Sequence, residues 1–168
     1  MKRTVIAFAL GMCVASTAWG LQQKIKRSTF QDEVVGYNFE VPRFPNNTAS
    51  SAGMKASFTA SPTDGFASNV TILVQEVKTT RDAFREESKK GVGQLGLKFI
   101  EDNDVTISGR DAMRYEYAGT IQNRQLHFVG VAIIDKDRVI LLTGSALETE
   151  FPSLQAEFKA ALDSFQLK

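Results

Sequence analysis

His127 is the only histidine in the 168-residue chain, so it decides several enzyme classes at once. A serine-hydrolase triad would need it as general base, and a zinc centre would need it as a nitrogen ligand. It stands in the apolar run Leu126-His127-Phe128-Val129-Gly130-Val131. That setting, away from any loop or strand end, favours a packed structural histidine over a base. The single cysteine, Cys13, belongs to an apolar N-terminal run and brings no thiolate to the rest of the chain. A zinc site would then have to draw its remaining ligands from carboxylates alone, and none is expected. Asp102, Asp104, Asp135 and Asp137 offer oxygen donors, but neither acidic group has the spacing of an EF-hand loop, and short acidic stretches are ordinary turn chemistry. Gly91, Gly93 and Gly96 come singly, with no Lys-Ser or Lys-Thr pair after them, which weighs against a phosphate loop. No catalytic, cofactor-binding or metal-ligating residue is assigned.

The aromatic residues invite a different chemistry. Phe39, Phe58, Phe84, Phe99, Phe128, Phe151, Phe158 and Phe165 recur at positions that periodicity turns inward. Core packing accounts for them more simply than an apolar ligand pocket does. Tyr115 and Tyr117 could line a cleft with Arg114 or Glu116 beside them, although cross-strand pairing explains those two charges as well.

The elements that would position these residues are legible from hydrophobic period. Residues 21–35 are polar and read as a mobile arm running into the first strand. Tyr37, Phe39 and Val41 alternate with polar neighbours up to Pro42, giving that strand. The Asn- and Ser-rich stretch 44–53 reads as a loop. Met54, Ala56, Phe58 and Ala60 alternate on a second strand, and Val70, Ile72 and Val74 on a third. Thr79 or Thr80 caps a helix carrying Phe84, Ser88, Val92 and Leu95, with Glu86, Glu87, Lys89 and Lys90 on its solvated face. Residues 97–100 and 105–107 read as short extended pieces around an acidic turn at 101–104. Met113, Tyr115 and Tyr117 share a strand face, and 119–125 turns the chain. Residues 126–134 and 139–145 form a hairpin apolar on both faces, which predicts central strands, whereas 54–60 and 113–117 suit the edges. A closing helix over 150–167 places Phe151, Leu154, Phe158, Leu162 and Phe165 on one stripe, with Pro152 in its first turn. The sum is an α+β domain, an antiparallel sheet flanked by helices.

Met1-Lys2-Arg3, the apolar run Val5–Ala15 and the small residues Ala18 and Gly20 have the order of a secretory signal, predicting a cut between Gly20 and Leu21. The apolar run is shorter than the ~20 residues that span a bilayer. Lipoprotein processing at Cys13 is disfavoured, because Met12 precedes it and a cut there would leave part of the apolar run behind. The expected mature chain has no cysteine, hence no disulfide, and carries eighteen basic against nineteen acidic residues, a balance with no bulk attraction for nucleic acid. The expected organisation is a signal peptide over 1–20, an arm over 21–35 and a single domain over 36–168, periplasmic or secreted, with no membrane span after cleavage.

Tyr37-x-Phe39-x-Val41-Pro42, Asn69-Val70-Thr71-Ile72, Gly109-x-x-Ala112 leading to Tyr115 and Tyr117, and Leu162-Asp163-Ser164-Phe165 together resemble the PsbP-like superfamily, which includes DcrB-like envelope proteins. The resemblance spans 36–166 and implies an α/β/α sandwich with a role in binding or assembly, not catalysis. Phe44 stands where relatives often carry Trp, and the lipid-anchored Cys of DcrB-like proteins has no counterpart. The function expected is a non-enzymatic domain binding another envelope or secreted protein. The alternatives are a carrier for a small apolar ligand between sheet and helix, or a hydrolase whose residues the sequence does not identify.

Overall fold

The computed structural model describes residues 28–44, 48–52 and 55–168. Ala18, Gly20 and Leu21, with the rest of the expected signal, lie outside the described residues. Strands β1 (Thr29–Asp32), β2 (Tyr37–Glu40), β3 (Thr48–Ala52), β4 (Lys55–Thr59) and β5 (Asn69–Glu76) precede helix α1 (Arg81–Gln94). Strands β6 (Lys98–Ile107), β7 (Arg110–Ile121), β8 (Arg124–Asp135) and β9 (Arg138–Leu147) follow, then helix α2 (Phe151–Asp163) and the short β10 (Gln166–Leu167).

A seven-stranded antiparallel sheet runs β3-β4-β5-β9-β8-β7-β6, and a small sheet runs β1-β2-β10. Two cores lie against the large sheet. Phe84 and Val92 of α1 pack with Met113, Tyr117, Phe128 and Leu141 on one face. Phe151, Phe158 and Leu162 of α2 pack with Phe39, Phe58, Ile72, Val131 and Leu142 on the other. The alternation along β8 decides this division: Val131 and Ile133 enter one core, Phe128 and Ala132 the other. This is the expected α/β/α sandwich, and the hairpin of β8 and β9 sits at its centre as its two apolar faces require.

Several local expectations are corrected. The edges are β3 and β6, not the strands holding 54–60 and 113–117, which each lie one place in. Residues 44–53 are not all loop, because 48–52 pair with β4, and pairing rather than side-chain period defines so polar an edge. The acidic run 101–104 does not turn. It lies inside one ten-residue strand, β6, interrupted by a register shift between Phe99 and Glu101. The turn expected over 119–125 narrows to Gln122 and Asn123, both at positive φ as a tight hairpin needs. The arm already contains β1, whose Phe30 ring meets Phe58 at 5.1 Å.

Helix α1 starts where expected: Thr80 Oγ1 accepts the Ala83 amide at 3.3 Å. Leu95 is its exposed C-cap and not part of the buried stripe. Helix α2 stops at Asp163, so Phe165 reaches the core from beyond the helix, stacked on Tyr37 at 5.4 Å.

Candidate functional site

Two polar clusters are built into the sheet, one on each face. The first is centred on His127 of β8. Its Nδ1 lies 2.9 Å from Glu148 Oε2 and its Nε2 lies 2.7 Å from Glu116 Oε1. Glu116 comes from β7, and Glu148 follows β9. Phe151, the first residue of α2, stacks on the imidazole with ring centroids 3.6 Å apart. Both nitrogens and one ring face are therefore engaged, and the residue is 7% exposed. A general base needs a nitrogen within reach of the proton it abstracts, and here each nitrogen already faces a carboxylate. The two carboxylates approach opposite nitrogens and so do not converge on a point with the ring. Sequence reading gave His127 a structural role but missed both glutamate partners, which are eleven and twenty-one residues away along the chain.

The second cluster is a row of hydroxyls crossing the α1 side of the sheet. Ser57, Thr71, Thr143, Gly130 and Tyr115 are successive cross-strand partners on β4, β5, β9, β8 and β7. The Ser57 and Thr71 hydroxyls lie 3.4 Å apart, and Thr71 Oγ1 donates to Asn69 Oδ1 at 3.0 Å. Tyr115 reaches across Gly130 to place its phenol oxygen 2.7 Å from Thr143 Oγ1. Burial pushes the Tyr115 phenol up to about 12, against the lowering effect of the Thr143 bond. Burial, with Tyr115 alongside, holds Tyr117 well above the ordinary phenol range. Both phenols are thus neutral at physiological pH, Tyr115 serving as a hydrogen-bonding group and Tyr117 as a wall. Above them, Ser88 of α1 is buried with no hydrogen-bond partner for its Oγ among the described residues. A cavity of about 10 Å³ lies between, lined by Ser88, Tyr115, Thr143 and apolar side chains.

Of the aspartates offered for a cation, Asp102, Asp104 and Asp135 are held by side-chain cations. Asp102 meets Lys89 at 2.7 Å, while Asp104 meets Arg81 at 2.9 Å and also pairs with Arg85. Lys89, expected on a purely solvated face, instead helps tie α1 to β6. Asp135 accepts from Arg110 Nε at 2.8 Å and from Arg138 Nη2 at 2.7 Å. Burial alone would raise this carboxyl, but the Arg110 and Arg138 hydrogen bonds and charges hold it below the ordinary range. Arg114 pairs with Asp163 of α2, so it joins layers instead of lining a cleft with the tyrosines. The inward phenylalanines are core: Phe39, Phe58, Phe84 and Phe158 are at most 1% exposed. No described helix is long and apolar enough to cross a membrane.

No family model and no curated protein matches the chain. Solved structures do. The cyanobacterial PsbP (CyanoP) of Synechocystis sp. PCC 6803 superimposes with a TM-score of 0.62 at 16% identity, covering 89% of this chain and 99% of its own. LpqN of Mycobacterium tuberculosis, described as involved in cell envelope biogenesis, gives 0.66 at 10% identity over 87% of this chain and 92% of its own. A Pseudomonas aeruginosa protein of unknown function, described as a putative regulator, gives 0.58 at 14% identity over 79% and 90%. At these identities the likeness is one of fold, and the fold of this chain is PsbP-like.

Proposed function

We propose that this is an exported, non-catalytic domain that binds a protein of the cell envelope through an open sheet edge. One observation carries the reading: the two edges of the large sheet are unlike. Strand β6 is irregular at Ile100, and its aspartates are tied to α1, features that discourage a further strand. Strand β3, Thr48-Ala49-Ser50-Ser51-Ala52, has no charge and no proline, and β4 is its only ladder partner among the described residues. Such an edge can accept an extended segment of another chain, with backbone hydrogen bonds supplying affinity. The internal engagement of His127 supports binding over histidine-based catalysis, and the involvement of LpqN in cell envelope biogenesis is consistent with an envelope partner.

The test is a pull-down from native envelope with the domain starting at Leu21, compared with a variant carrying Ser50→Lys and Ser51→Lys. A protein retained by the wild type and lost by an equally stable variant is the expected result. Equal retention by both would sink the edge reading, and recovery of a small molecule alone would favour the carrier.

A further inference from the structure

We infer that the seam beneath α1 is a binding site for a small neutral phenol-like molecule, a flat apolar body carrying one hydroxyl. Ser88 is 2% exposed and its Oγ has no hydrogen-bond partner among the described residues, yet it lines the cavity that also meets the Tyr115–Thr143 pair. A buried hydroxyl left without a partner is costly, and most such groups are satisfied by protein or by an ordered guest. Ser88 can both donate and accept, and the Tyr115–Thr143 pair retains further capacity. A ligand hydroxyl matches both. A carboxylate does not, because no cationic side chain lines the cavity. The rest of the lining, Phe84, Phe99 and Tyr117 among it, suits an aromatic face.

At about 10 Å³ the cavity has room for no more than one water, so admitting a ring requires α1 to rise from the sheet. The attachment of α1 allows this. Among its described residues only Phe84, Ser88 and Val92 are buried. Gly91 and Gly93 weaken its last turns. The ion pairs that reinforce it to β6 are partly exposed and therefore salt-screened. A helix held by few buried contacts opens at lower cost than the strands beneath it. This site is independent of the β3 edge, so failure of either leaves the other standing.

Titration with p-cresol, followed by amide NMR of the domain from Leu21 onward, tests the proposal. Saturable shifts are expected along α1 and at positions 113–117 and 141–143. Asp104→Asn, which loosens α1, should tighten apparent affinity by raising the open fraction. Ser88→Ala, a small change that should leave folding intact, should weaken p-cresol roughly tenfold while leaving toluene unchanged. Absence of saturable binding in both the wild type and Asp104→Asn would reduce the cavity to a water site and overturn the inference. Equal p-cresol affinity in Ser88→Ala would overturn it as well.

Discussion

The ring of Tyr115 lies across Gly130, where an added Cβ would stand 2.6 Å from the phenol oxygen and 2.6 Å from the carbonyl oxygen of Leu142. One contact is a side-chain end and the other is backbone, so the site cannot relax by moving Tyr115 alone. Gly130→Ala should therefore break the Tyr115–Thr143 bond and cost about 1–3 kcal/mol, the usual range for overpacking. Urea melts with tyrosine near-UV circular dichroism would register both effects. An unchanged spectrum at wild-type stability would contradict this placement of the ring.

Removing His127 should affect stability more than function. His127→Ala deletes two hydrogen bonds and the Phe151 stack, for a loss of about 1–3 kcal/mol. Complementation of a deletion strain, with abundance checked by immunoblot, should still succeed. Histidine acid–base catalysis typically contributes about 10²–10⁴-fold, so lost function at normal abundance would bring an enzyme back into consideration.

Asp135 makes stability sensitive to acid. Its folded carboxyl is held below the unfolded value of about 3.9, so its contribution is fully present above that value and disappears as pH falls through the folded one. Asp135→Asn should cost about 1.5–3 kcal/mol at neutral pH, as expected for hydrogen bonds to a charged group. Melting temperatures from pH 7 to pH 3 should show the gap between wild type and variant narrowing below about pH 4. A constant gap would mean that the carboxylate charge contributes nothing.

Phe158 should be indispensable. Its ring lies over Gly144, where an added Cβ would stand 2.7 Å from it, and it is fully buried. Phe158→Ala should cost about 3–5 kcal/mol, a large part of the ~5–15 kcal/mol that holds a domain together. Urea unfolding midpoints measure it, and near-wild-type stability would mean that the α2 stripe is not core.

Protein recovered from cells should begin at Leu21 and carry no lipid. Intact mass decides this, and a diacylglyceryl adduct on Cys13 would overturn both the cut and the unanchored assignment.

Much of the sandwich was legible because its signals are local. The two-faced apolar hairpin announced the central strands, and Thr80, Phe84, Ser88 and Val92 announced α1 by spacing alone. The misread stretches depend on distant partners. Asp102 and Asp104 have the composition of a turn, and they stay extended beside Arg81, Arg85 and Lys89, which neutralise them from a different element. The small polar residues of β3 have no period of their own, and pairing with β4 defines the strand. The hydroxyl row was hidden for a related reason. Ser57, Thr71, Thr143 and Tyr115 are unremarkable one at a time, and only the register of four separate ladders aligns them with Gly130.

The pairing of β10 with β2 sets a timetable for the chain. Tyr37 and Asn38 find their partners in Leu167 and Gln166, and the Lys168 amide donates to the Gly36 carbonyl at 2.9 Å. The small sheet thus joins residues far apart along the chain, a long-range closure of the kind that slows folding. While residue 167 is still inside the ribosome, β2 lacks one of its two ladders and Tyr37 lacks the Phe165 ring. This layer therefore cannot close until β10 has left the ribosome, long after β2 has done so. Until then β2 is held by β1 alone, and the Tyr37 face waits for its cover.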